Sequence, residues 1–230
     1  MFDNRTDAGR RLATRLEERG LEADLVLGIP RGALPVARPV ADALEADLDV
    51  VVAKKIGAPG NPELAIGAVA SDGSVWRNDA LVERLGVSDS YIQRERERKA
   101  ESAREKAETY RPTNRTALPD LTGKRVVVVD DGVATGATAI ACLRQLRENG
   151  AARVVLAVPV GSPDSIERLE DEADEIVTLR EPADFRAVGQ YYRDFGQVSD
   201  EEAITYLDLG SESENGSESE NGSESENGSE

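Results

Sequence analysis

The sequence predicts an α/β fold: an open, mainly parallel sheet flanked by helices, followed by a disordered acidic tail. Three observations support this. Short apolar runs alternate with segments of helical period, which is the pattern of βα units. Several of those runs are hydrocarbon from end to end, as strands buried on both faces require. Residues 211–230 repeat SESENG and hold no apolar residue, so nothing there offsets the entropy of ordering. Residues 1–210 are therefore expected to form the folded domain, and 211–230 a solubilising tail.

The elements follow in order. Asn4 to Arg19 reads as a helix with Leu12 and Leu16 on one face. DLVLGI (24–29) is a short buried strand, followed by the turn Pro30-Arg31-Gly32 and the helix LPVARPVADALEA. LDVVVAKKI (48–56) reads as one strand whose far end turns basic. GAPGNPE (57–63) is rich in glycine and proline, so a mobile loop is expected. LAIGAVA and SVWR form a strand pair around Ser71-Asp72-Gly73. Ser88 to Tyr110 is a long charged helix, with Ser90 and Gln93 placed for a capping box. Glu95/Lys99 and Glu101/Arg104 have the spacing of surface ion pairs. After the loop RPTNRTALPDLTGK come strand RVVVVD, helix 137–149, strand RVVLAVPV (153–160), helix 163–171 and strand EIVTL (175–179). The segment ends in the aromatic-rich DFRAVGQYYRDF (184–195).

Composition removes whole classes of function. Seven of the glutamates lie in the tail; without it the body still carries 38 acids against 28 bases. Only five of those bases are lysine and 23 are arginine. An acidic, lysine-poor surface suits a salt-rich cytoplasm, such as that of a haloarchaeon, where salt screens self-repulsion. It argues against a nonspecific nucleic-acid grip. RERERK (94–99) has interleaved glutamates and reads as a solvated face. The charged N-terminus has no signal-peptide character, and no apolar run reaches the roughly 18 residues of a membrane span. A cytoplasmic protein is expected. Cys142 sits among Ala141, Leu143 and Leu146 and reads as core. The absence of histidine removes imidazole acid–base chemistry, Ser-His-Asp triads and the usual zinc sites.

One stretch carries chemistry: VVVVDDGVATGAT, residues 126–138. In an open parallel sheet, ligands gather beyond the carboxyl ends of the strands. Asp130 and Asp131 are expected to emerge there, where their charge stays hydrated. Gly132, Val133, Ala134, Thr135, Gly136, Ala137 and Thr138 are small, so their amides can close around a phosphate at the start of the next helix. The hydroxyls of Thr135 and Thr138 add donors. Carboxylates for sugar hydroxyls beside amides for a phosphate suit a ribose 5-phosphate. The plainer alternative is that the aspartates only cap the next helix. No GxxxxGK[ST], GxSxG or GxGxxG is present.

This stretch resembles the phosphoribosyl-pyrophosphate signature of the type I phosphoribosyltransferases. The whole chain, with PRGALPVA, KKIGAPGNPELAIGAV and YYRDF, resembles a bacterial and archaeal group usually labelled "predicted phosphoribosyltransferase". The resemblance implies the type I fold with a small hood. It implies that Asp130 and Asp131 hold the ribose hydroxyls and Mg2+, the latter directly or through water, and that Val133 to Thr138 cradle the 5-phosphate. Pro30-Arg31-Gly32 would be the pyrophosphate loop, often built on a non-proline cis bond, with Arg31 stabilising the leaving group. Lys54 and Lys55 match a basic position near the pyrophosphate. Neighbours on a strand alternate faces, so only one of them is expected to enter the site. Gly57 to Ile66 matches the loop that closes over the reaction.

The implied activity is magnesium-dependent transfer of phosphoribose from its pyrophosphate to a nitrogenous base, a purine, in nucleotide salvage, by a homodimer. The alternative from another class is a sensor that binds phosphoribosyl pyrophosphate or a nucleotide without turnover. DFRAVGQYYRDF is similar to the end of hypoxanthine-guanine phosphoribosyltransferase, which makes Phe185 either a stacking platform for the base or a core aromatic. Ala134 and Gly161 depart from that enzyme, which has an acid and a lysine there. Adenine phosphoribosyltransferase also has alanine in the turn and takes a loop glutamate for proton transfer. Glu63 is either that group or a surface glutamate.

Overall fold

The structure, a computed structural model, describes residues 1–111 and 118–208. The tail assigned to 211–230 and residues 112–117 of the loop after Arg111 lie outside the described residues. In chain order the elements are α1 (Arg5–Glu18), β1 (Leu25–Gly28), α2 (Leu34–Ala43), β2 (Asp47–Val50), β3 (Ala53–Ala58), β4 (Asn61–Ala70), β5 (Val75–Arg77), α3 (Asp79–Leu85) and α4 (Asp89–Tyr110). Then come β6 (Arg125–Val129), α5 (Ala137–Glu148), β7 (Arg153–Val160), α6 (Pro163–Leu169), β8 (Glu175–Arg180), a 3-10 turn at Val188–Tyr191 and α7 (Asp200–Asp208).

Five strands form a parallel sheet in the order β2-β1-β6-β7-β8, and β3-β4-β5 form a separate antiparallel hood. The valine run of β6 sits near the middle of the main sheet and is buried on both faces, as expected. Val126 and Val128 join Ile140, Leu143 and Leu146 of α5 on one side. Val127 and Val129 join Leu12, Leu16, Val36 and Val40 of α1 and α2 on the other. Each buried valine contributes ~1.5 kcal/mol or more of transfer free energy. Cys142 is fully buried on α5, and burial raises its thiol pKa well above the usual value. The same helix packs against Ala68 and Ala70 of the hood. It therefore fixes the hood over the sheet's carboxyl edge.

Four local expectations are corrected. The run 48–56 is two strands: Val51 N bonds Gly28 O in the main sheet, while Ser71 N bonds Val52 O in the hood. The chain changes sheets inside an unbroken apolar run, where periodicity gives no sign of the break. GAPGNPE is not a loop but the tip of a hairpin, paired from Ala53↔Ala70 to Ala58↔Asn61 around Gly60 at φ 75°. The cap of α4 is Ser88, which accepts from Tyr91 N at 3.3 Å, whereas Gln93 bonds Glu97. Glu95 pairs with Arg98, and Glu101 with Arg104 as expected. Asn78 caps α3, accepting from Leu81 N at 3.0 Å; α3 and α7 are further helices beyond those expected from the sequence.

Candidate active site

β1 and β6 are parallel neighbours, with Gly28 opposite Val129. Their carboxyl ends therefore release residues 29–33 and 130–138 side by side. A cleft of about 400 Å3 opens between these segments and the hood; it is bordered by Ile29, Pro30, Gly32, Ala53, Lys54, Lys55, Asp130, Asp131 and Thr138. The Pro30–Arg31 peptide bond is cis. Among the described residues, the N–H groups of 31–33 and of 134–139 find no acceptor. Two stretches of free donors thus flank one opening, and the second is the N-terminus of α5, where the helix dipole adds partial positive charge.

The turn is braced from behind. Ala134 O accepts from the hydroxyls of Ser162 and Ser165 at 3.1 and 2.7 Å. Val133 gives its N–H to Val160 O and takes Ser162 N on its carbonyl, with its side chain buried. The expectation that Val133 offers an amide to phosphate is therefore corrected: its amide belongs to the sheet, and the free turn begins at Ala134. Gly132 packs so closely on Val188 that a Cβ would come within 2.6 Å of Val188 Cγ1. At Gly32 a Cβ would overlap Asp131 Oδ2, so any larger residue there requires the cis loop or the carboxylate to shift.

The two carboxylates are not freely hydrated, which corrects the sequence expectation. Both are only partly exposed. Burial, and then the charge of Asp131, push the Asp130 pKa well above its usual value. Burial also raises that of Asp131, against the opposing pull of Arg5. Arg5 Nε lies 2.8 Å from Asp131 Oδ2. Asp131 O accepts from the Tyr192 hydroxyl at 2.6 Å, and Asp131 N donates to Asp130 Oδ1 at 2.8 Å. Sequence reasoning missed Arg5 and Tyr192, because no local pattern links them to a turn so distant in the chain.

The other candidates divide. Lys54 and Lys55 both border the cleft, yet they answer to different neighbours. Lys55 Nζ bonds Glu63 at 2.7 Å. The pKa of Lys54 is lowered by burial, then by Lys106 and Lys99 of α4. Arg31 reaches toward Asp200 of α7, at 3.8 Å. Glu63 is exposed near the hairpin tip and does not border the cleft; its bond to Lys55 lowers its pKa. Phe185 stacks on Tyr191 with ring centroids 5.7 Å apart and packs beside Phe2 and Tyr192. It too lies off the cleft border.

For a metal, no cluster of three or more Asp, Glu, His or Cys exists among the described residues. Asp130 and Asp131 offer hard oxygen donors beside open space. That set fits magnesium, which takes one or two carboxylates and completes its shell with water and substrate phosphate.

Paired acids and free amides at the carboxyl edge of a parallel sheet define an α/β protein whose cleft offers groups for both hydroxyls and an anion. The chain belongs to the phosphoribosyl transferase domain family, whose model matches residues 2–195. A Mycobacterium tuberculosis protein provisionally named a phosphoribosyl transferase is 46% identical over 208 residues, covering 90% of this chain and 46% of that protein. The chain thus spans about half the length of the curated relatives it matches. The crystal structure of TT1426 from Thermus thermophilus is 47% identical, with a TM-score of 0.76 over 90% of this chain and 97% of that one. A uracil phosphoribosyltransferase of Streptomyces griseus is 43% identical over 68 residues, 29% of this chain and 30% of that protein. Among the described residues no helix is long and apolar enough to cross a membrane.

Proposed function

We propose that the chain transfers a 5-phosphoribosyl group from phosphoribosyl pyrophosphate to a nitrogenous base, with a purine as the first acceptor to test, and releases pyrophosphate. The observation that carries this is that Asp130, Asp131, Gly32 and Thr138 border one cleft, with the remaining free N–H groups of 31–33 and 134–139 on the same two segments. Asp130 and Asp131 hold the ribose hydroxyls. Ala134 to Thr138 hold the 5-phosphate, with the hydroxyls of Thr135 and Thr138 as further donors. The cis loop, with Gly32 and Arg31, holds the pyrophosphate, and Lys54 or Lys55 adds positive charge from the hood.

Asp130 and Asp131 would hold magnesium, directly or through water, and the bound ion would supply charge that offsets the negative charge growing on the leaving group. The sugar carbon becomes cation-like as its bond to pyrophosphate breaks and the base nitrogen adds, as in glycoside chemistry. The acids on the sugar side and the cations on the pyrophosphate side stabilise opposite ends of that charge separation. The hairpin Gly57 to Ile66 extends the strand that carries Lys54 and Lys55, and its closure over the bound donor would keep water out. Phe185 and Glu63, which lie off the cleft border, carry no step in this mechanism. The acidic, lysine-poor composition supports a salt-rich cytoplasm as the working medium. The resemblance to type I enzymes supports a homodimer, which light scattering at high salt would check.

The test is pyrophosphate release from the donor with magnesium, across a panel of bases, at high KCl. Turnover with at least one base is expected. Tight donor binding with no release on any base would replace the transferase by a sensor.

A further inference from the structure

α7 places a carboxylate beside the cleft that the transfer chemistry does not use. Asp200, its first residue, accepts two bonds from Lys106 Nζ at 2.6 and 2.7 Å and one from the Tyr110 hydroxyl at 2.6 Å. Arg31 Nη1, from the cis loop, stands 3.8 Å from the same carboxylate. That is too long for a good hydrogen bond, and the Arg31 side chain remains 44% exposed. Lys54, on the cleft border, has Lys106, Lys99 and Arg31 as charged neighbours, with Asp200 as the opposing acid. Lys106 and Arg31 meet at Asp200, with Glu201 of α7 as a second acid near Arg31, while Lys54 and Lys99 add positive charge alongside, in a chain of net charge −17. Such a local excess of positive charge is the footprint of an anion site.

We propose that Lys106 joins Arg31 in binding the diphosphate end of the donor, and that Asp200 is an internal anion that holds both cations until the diphosphate displaces it. The inference rests on the transfer reading above and adds its regulation: α7 is a latch on the leaving-group side. The helix is suited to that part. Ala203 is its one fully buried side chain, and Ile204, Tyr206 and Leu207 pack only partly buried against a cluster that holds Leu34, Val50, Val52, Ala103, Ala107 and Tyr110. Partly buried side chains give up less area than core residues, so a shift of α7 costs less than a movement of the core would. When diphosphate oxygens arrive, Lys106 and Arg31 exchange one carboxylate for a more highly charged partner.

The experiment is titration calorimetry of inorganic pyrophosphate and of phosphoribosyl pyrophosphate, each with magnesium. It uses the full chain and the variants Asp200→Asn and Lys106→Gln, with folding checked by circular dichroism. Asp200→Asn is expected to tighten pyrophosphate binding about three- to tenfold, and Lys106→Gln to weaken it by a similar factor, as partly exposed ion pairs allow. A folded Asp200→Asn protein with unchanged or weaker affinity overturns the latch. Unchanged affinity in Lys106→Gln overturns the added subsite. Should Asp200→Asn not fold, Asp200→Ser, which keeps a residue suited to a helix start, is read the same way. Wild-type protein that binds neither ligand would instead sink the transfer reading, and the latch with it.

Discussion

Arg5 Nε sits 2.8 Å from Asp131 Oδ2, tying the first turn of α1 to the tip of β6 across 126 positions of chain. The guanidinium also lies 3.8 Å from the centroid of the Phe195 ring and gives Nη1–H to Gly196 O at 2.7 Å. Both partners are largely withdrawn from solvent, with side chains 12% and 16% exposed. Arg5→Met would leave Asp131 charged beside Asp130 with its cation gone. Loss of about 2 kcal/mol is expected, because breaking a buried pair strands the other charge. Urea unfolding measures it; an unchanged midpoint would mean that Asp131 does not depend on Arg5.

Gly32→Ala addresses the approach of the cis loop to the acids. The added methyl would overlap the Asp131 carboxylate, so either the loop or the acid must move. Overpacking of this kind costs about 1–3 kcal/mol. Donor affinity is expected to fall tenfold or more, since both sides of the cleft lose register. Calorimetry on the folded variant decides the matter, and wild-type affinity would show that the loop can yield without consequence.

Much of this was legible in the sequence, and the limits were physical. VVVVDDGVATGAT announced β6, the acids and the amide turn because strand, charge and small residues change abruptly there, and each change has a local cause. LDVVVAKKI hid its break because a strand that passes between two sheets stays apolar throughout. Arg5, Tyr192, Lys106 and Asp200 were invisible as site residues. Each acts through a partner far along the chain, and single arginines, tyrosines and aspartates carry no periodic signal. The enclosure of the acids has no local signature for the same reason: Arg5, Tyr192 and the cis loop, which surround Asp131, come from distant segments.

Asp130 sets the stability of the fold against its proposed binding role. Its carboxylate keeps a path to the cleft but is otherwise enclosed, and burial and Asp131 make its charged form costly. Asp130→Asn removes the charge and retains the shape. A gain on the order of 1 kcal/mol, or a few degrees in Tm, is expected. Donor binding should be lost at the same time, most completely in the double variant with Asp131→Asn. A variant that melts below wild type would show that Asp130 is stabilised as the anion after all.

The opposite end of the sheet offers a titration that the cleft should not feel. Asp24 Oδ2 accepts from Arg125 N at 2.8 Å and Nε at 3.1 Å, and Oδ1 accepts from Nη2 at 2.7 Å, which pins the amino end of β6. Those bonds, the Arg125 side chain first and its backbone N–H second, hold the Asp24 pKa down to about 2 against an ordinary 3.8. A depressed carboxylate stabilises the fold fully above its unfolded value and stops doing so as pH falls through its folded value. The loss from Asp24 therefore falls between about pH 3.8 and 2. Asp24→Asn should unfold at lower urea than wild type at pH 7, by a modest margin because the pair is part-exposed and screened. The two proteins should converge as the pH approaches 2. Donor affinity should stay as in wild type, since Asp24 lies at the sheet edge remote from the acids. A gap that persists unchanged at pH 2 would assign the effect to shape and remove the ionic account.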